Sequence, residues 1–151
     1  MKNLTLPVRF GLVTSAVLIA YFLVLALFHK HTNPAFSFLN ALITGFGIYE
    51  AIRIYKIEQG KSFTYTDGFK TGFVTGFTAT LVFTVFFLIY ITELNGDFVP
   101  KMLEIVHNGG FDVTVGMLSF IVGIMGLATT VVATFTVMQL FKNSTKITQN
   151  E

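Results

Sequence analysis

Residues 71–92, TGFVTGFTATLVFTVFFLIYIT, decide the class of this protein, because the run contains no Asp, Glu, Lys or Arg. An α-helix rises about 1.5 Å per residue and the hydrocarbon layer of a bilayer is roughly 30 Å thick, so about 20 apolar residues suffice to cross it. This run qualifies. Two others of the same kind, Phe10 to Phe28 and Val113 to Phe141, lie on either side, and a shorter one, Thr32 to Tyr49, falls between the first two. The pattern predicts an all-α fold: an integral membrane four-helix bundle with spans at about 8–28, 35–55, 69–92 and 113–141. Residues 1–151 then form a single transmembrane domain.

Composition agrees with that reading. Only 12% of the residues are charged and 53% are hydrophobic, with a mean hydropathy of +0.71. That is about half the charge of a soluble domain, so the lipid bilayer is the main partner. Four spans and their connections use nearly the whole chain, leaving no room for a separate soluble catalytic domain. The net charge of +2 is small and scattered, which sets nucleic acid aside as a partner. The chain has no cysteine, excluding disulfides, thiolate metal sites, thiol catalysis and S-palmitoylation. Lys2 and Arg9 before the first apolar run give it a signal-like start. The run is nevertheless longer than the 7–15 residues or so typical of a signal peptide, and is expected to stay as a span.

Basic residues resist translocation and so set orientation. Lys2 and Arg9 precede the first span, Arg53, Lys56, Lys61 and Lys70 lie between the second and third, and Lys142 and Lys146 follow the fourth. Lys30 and Lys101 alone fall in the other two connections. Both termini are therefore expected on the cytoplasmic side.

Local signals mark the element ends. Asn33-Pro34 suits a helix start, and Thr64 with Asp67 has capping-box spacing ahead of the third span. Asn95-Gly96 suits a helix stop. Beyond it Val99, Met102, Leu103 and Val106 share one face of a short amphipathic helix at about 97–108, opposite Lys101, Glu104 and Asn108. Such an element suits the outer membrane surface or the ends of the bundle.

Small residues recur every four positions in span three: Gly68, Gly72, Gly76, Thr80 and Thr84. Span four carries a comparable seam of Gly116, Ser119, Gly123, Gly126, Thr130 and Ala133. Small-xxx-small patterns let backbones approach closely in lipid, so the two stripes are expected to face each other. A dimer contact is the competing use. A third is a polar cavity bordered by Thr75, Thr78, Thr80, Thr84, Thr129, Thr130 and Thr134, although threonines in membrane helices commonly bond their own backbone carbonyls.

Glu50 is the ionisable group that hydropathy cannot keep out of a span, with Arg53 three residues on and on the same face. The pair reads as a structural one at the inner headgroup level. The competing reading makes Glu50 an ion or proton site. His29, His31 and His107 lack metal-ligand spacing and read as interfacial. Asn40 is expected to make an interhelical hydrogen bond. No nucleophile elbow or phosphate loop is present, so no catalytic, cofactor or metal site is expected and the chain reads as non-enzymatic.

The hairpin IYKIEQGKSFTYTDGFKTGF, residues 54–73, and the segment Phe98-Val99-Pro100-Lys101-Met102 resemble an uncharacterised bacterial family of four-span membrane proteins, domain of unknown function 4199. The likeness rests on a basic, glycine-containing loop, an aromatic, and the Gly68, Phe69, Lys70, Gly72, Phe73 pattern leading into span three. It implies a bacterial inner-membrane location and the same four-helix plan, and transfers no activity. The leading functional expectation is a small non-enzymatic membrane protein working through helix contacts, as an oligomer or as an accessory subunit of another membrane protein. The alternative is a small permease or ion conductor using Glu50 and the threonine-rich faces of spans three and four.

Overall fold

The computed structural model describes residues 2–28, 34–94 and 114–141. Among these are four long helices and no strand: α1 (Lys2–Leu27), α2 (Pro34–Gln59), α3 (Tyr65–Ile89) and α4 (Val115–Leu140). A 3-10 turn, Gly60–Ser62, joins α2 to α3, and a π-helical turn, Tyr90–Leu94, prolongs α3. The predicted 97–108 helix and the Asn95-Gly96 stop lie outside the described residues.

Among the described residues, three segments are long and apolar enough to cross a membrane: Thr5–Leu27, Tyr65–Glu93 and Val115–Leu140. α2 is as long as α1 and α4, at 26 residues. Its second half, however, carries Glu50, Arg53, Lys56 and Glu58, which removes it from the strongly apolar class.

The ends of the helices follow from local chemistry. Gly60 adopts φ +55°, a left-handed conformation that suits glycine, and it turns the chain out of α2. Thr64 is extended, and its Oγ1 accepts the Asp67 N–H at 3.2 Å while donating to the Asp67 carboxylate at 2.6 Å. The paired polar groups satisfy one orphan amide at the start of α3. Thr114 does the same for α4, accepting the Met117 N–H at 3.2 Å.

α3 packs against all three other helices, and α2 also touches α1 and α4. Two apolar clusters close the ends. At one, Phe22 meets Phe83, Phe86, Phe87 and Tyr90 edge-on, with ring centroids 5.0 to 6.2 Å apart. This is the arrangement that aromatic quadrupoles favour. At the other, Ile48, Ile52, Val137 and Met138 are buried beneath Tyr49, Phe63 and Phe141, and Lys56 Nζ sits 5.3 Å from the Phe141 ring centre and 5.6 Å from that of Phe63. Outward, α2 exposes Phe38, Leu42 and Phe46, and α4 exposes Phe120, Ile124, Val132 and Phe135. Helices that are apolar on the outside as well as the inside belong in lipid. Between the two clusters the contacts are made almost wholly by small residues.

Candidate functional site

The middle of the bundle is a seam in which glycine and threonine face each other. A β-carbon built on Gly68 would lie 2.9 Å from Met138 Sδ, and one on Gly72 would lie 2.8 Å from Thr134 Cγ2. One on Gly76 would overlap Thr130. At the next turn the roles exchange: α3 supplies Thr80, and α4 supplies Gly126, whose β-carbon would lie 2.6 Å from Thr80 Cγ2. Thr84 then stands 3.5 Å from the corresponding point on Gly123. Positions rise along α3 as they fall along α4, so the two helices are antiparallel in register. Lipid tails are as apolar as leucine, hence helices in a bilayer are held by close van der Waals approach of this kind rather than by removal from water.

The same device joins the other helices. A β-carbon on Gly11 of α1 would lie 2.6 Å from Thr78 Cβ and 2.7 Å from the Thr75 carbonyl oxygen, while Gly47 of α2 receives Thr14 of α1. Each glycine here has a small residue four positions on, Ser15 after Gly11 and Ala51 after Gly47, a two-member pattern shorter than the stripe of α3.

The hydroxyls are mostly committed locally. Thr75 donates to the Thr71 carbonyl at 2.8 Å, and Thr129 to that of Met125 at 2.8 Å. Thr80 and Thr130 hydroxyls meet across the seam at 3.4 Å. Thr84 Oγ1 and Thr134 Oγ1 are buried without a hydrogen-bond partner. The threonines expected to border a cavity are therefore divided: Thr75, Thr80, Thr130 and Thr134 are buried in helix contacts, and the Thr129 hydroxyl turns back onto its own helix.

Two residues of the expected stripe on α4 sit elsewhere. Gly116 is exposed and a β-carbon there would meet nothing within 4 Å. Heptad spacing aligns it with Gly123, but at this end the aromatic cluster around Phe87 and Tyr90 engages Val115, Leu118 and Val122 instead. Bulky rings hold the backbones apart where glycine would have drawn them together. Ala133 packs on the Ile48 and Ile52 cluster, and Thr134 takes its place in the seam. Asn40 also departs from expectation, since its Oδ1 is buried with no hydrogen-bond partner.

Glu50 and Arg53 are one turn apart on α2. Arg53 Nη1 donates to both carboxylate oxygens, at 3.2 and 3.1 Å. The Arg53 side chain is 53% exposed and that of Glu50 22%, so the pair stands at the bundle surface rather than within the seam. Partly exposed pairs of this type are worth no more than about 1 kcal/mol in water. His29, His31 and His107 lie outside the described residues, among which no cluster of three or more His, Asp or Glu side chains is placed to hold a metal.

A sequence model of the family described as Protein of unknown function (DUF4199) matches residues 9–112. That match runs from the first turns of α1 past the end of α3 and stops short of α4. No curated protein and no solved structure matches the chain.

Proposed function

This chain belongs to the DUF4199 family of proteins of unknown function, and we propose that it is a non-enzymatic integral membrane protein that acts by lateral contact, with a second copy or with another membrane protein. The observation that carries the reading is the position of α4. In its most apolar 18-residue stretch only 11% of the residues are buried within the chain, against 39% in that of α3. Its outward side exposes Phe120, Ile124, Met125, Val132 and Phe135. The outward hydroxyls of Thr129 and Thr136 bond the Met125 and Val132 carbonyls of the same helix, so the face offers shape and apolar contact but no free polar chemistry.

Gly68, Gly72, Gly76, Gly123 and Gly126 are used inside the chain, whereas Gly116 of α4 is left open beside the larger side chains of the outward face. A four-span arrangement in a bacterial inner membrane, with both termini cytoplasmic, completes the proposal; the spans rest on the apolar runs, the membrane on the family resemblance and the orientation on the distribution of Lys and Arg. A conducting path along α3 and α4 would require Thr75, Thr130 and Thr134 to leave contacts in which each is fully buried.

Because the chain lacks cysteine, single-cysteine variants read contacts without background. Ile124→Cys and Val132→Cys on α4 should cross-link in intact membranes to a second copy or to one defined partner, while Phe46→Cys on α2 should not. Equal cross-linking from all three, or none from α4, overturns the proposal.

A further inference from the structure

A cleft of about 470 Å³ opens between α1 and α2 at the end of the bundle where α1 begins and α2 finishes. The two helices touch where Thr14 seats on Gly47, and the cleft lies between them and their adjoining ends. Counted from the Thr14 and Gly47 contact, Phe10 and Val13 lie deepest in its lining, Arg9 and Ile54 come next, and Leu6, Thr5 and Glu58 stand nearest the end. From Thr5 to Val13 is about 12 Å along α1 at the helical rise.

Arg9 and Glu58 line the same cleft with opposite charge, yet they do not join in an ion pair; the pair formed nearby on α2 is Glu50 with Arg53. Both are exposed. A cation and an anion held apart across a groove, above an apolar floor, match a ligand with an anion and a cation in one headgroup and a hydrocarbon tail beneath. From the end inward the groove presents Glu58, then Arg9, then Phe10 and Val13, the order in which such a lipid presents ammonium, phosphate and acyl chain.

We infer that the α1–α2 cleft binds a phospholipid carrying a primary ammonium, of the phosphatidylethanolamine type, with Arg9 on the phosphate and Glu58 on the ammonium. Guanidinium is the side chain best suited to phosphate oxygens. A carboxylate accepts hydrogen bonds from a primary ammonium, whereas a quaternary choline has no N–H to donate. The first acyl carbons lie along Phe10 and Val13. This site does not depend on the lateral-contact reading, since its lining uses neither α3 nor α4.

The test is native mass spectrometry of the full chain, released from nanodiscs of equimolar phosphatidylethanolamine, phosphatidylcholine and phosphatidylglycerol. The wild type should retain the ethanolamine lipid over each of the others by about fivefold, the scale expected for one partly exposed charge contact. Glu58→Gln should make ethanolamine and choline lipids equivalent while phosphate-dependent retention persists. Arg9→Gln should lower retention of all three, and Arg9→Lys should keep most of it. Lys61→Gln, an exposed cation at the same end that does not line the cleft, should have no effect. No headgroup preference in the wild type, a preference for the glycerol lipid insensitive to Glu58, or an equal loss with Lys61→Gln would each overturn the assignment. So would competition by soluble glycerophosphoethanolamine as effective as that of the diacyl lipid. Circular dichroism of each variant separates lost binding from lost folding, and the Arg9→Lys protein remains informative if Arg9→Gln unfolds.

Discussion

Thr130 of α4 rests on the bare backbone of Gly76 in α3, so close that a β-carbon on the glycine would overlap the threonine hydroxyl and Cβ together. One turn along, Thr80 of α3 rests on Gly126 of α4 in the opposite sense. The seam is thus indifferent to which helix supplies the glycine, provided that one does. Gly76→Thr should therefore destabilise the bundle by about 1–3 kcal/mol, the usual cost of overpacking. The double variant Gly76→Thr with Thr130→Gly should recover much of that loss, because it moves the Thr80/Gly126 arrangement one turn down. Reversible unfolding in bicelles measures both, and additive losses would show that contact between these two positions is not what matters. Gly116→Ala, which adds a methyl group in open space, should leave stability within about 0.5 kcal/mol of wild type.

Thr134 is fully buried against Gly72, with its hydroxyl unpartnered. Valine has nearly the same shape and lacks the polar atom, so Thr134→Val should be neutral or stabilising, by up to about 1 kcal/mol. Thr130→Val removes the hydroxyl that meets Thr80 and should cost a few tenths of a kcal/mol, near the roughly 0.6 kcal/mol average for interhelical hydrogen bonds in membranes. A large loss on Thr134→Val in the same assay would mean that its hydroxyl has a partner in the folded protein.

The class of fold was legible because charge-free length is a property of single stretches: residues 71–92 need no neighbour to announce a span. The four-residue recurrence of Gly68, Gly72 and Gly76 was legible for the same reason, since a helix face is defined by its own spacing. What spacing cannot convey is what stands opposite. Gly116 shares the heptad of Gly123, yet the rings of Phe87 and Tyr90 decide that it stays in the open. Gly11 and Gly47 each begin only a two-member pattern, with Ser15 and Ala51, and what they receive is known only once Thr78 and Thr14 are seen against them. The Arg9 and Glu58 cleft was equally hidden, because its two charges belong to helices far apart in the chain.

Orientation is the next expectation to check. Reporter fusions after Gly60 and after Glu151 should read as cytoplasmic, and fusions after Thr32 and Gly109 as external. The charge distribution motivates this, and α2 is the element at risk, being long enough to span but less apolar than the rest. If Thr32 and Gly60 report the same side, α2 does not cross, and the bundle has three spans.

The contact between Arg53 and Glu50 separates the two functional classes. Arg53 Nη1 reaches both carboxylate oxygens of Glu50, so a structural pair predicts that Glu50→Gln and Arg53→Gln act alike. Each leaves one charge unpartnered, and each should cost no more than about 1 kcal/mol given the exposure of the pair. The double variant should cost less than the sum, because the second substitution removes the charge that the first left alone. If Glu50 instead carries a transported ion or proton, Glu50→Gln should leave stability intact and abolish a flux that Arg53→Gln only alters. Unfolding and proton or cation flux, measured on the same purified variants in proteoliposomes, decide between the two. Coupled stability losses with no wild-type flux remove the conducting alternative, whereas a flux lost only with Glu50 removes the lateral-contact reading proposed above.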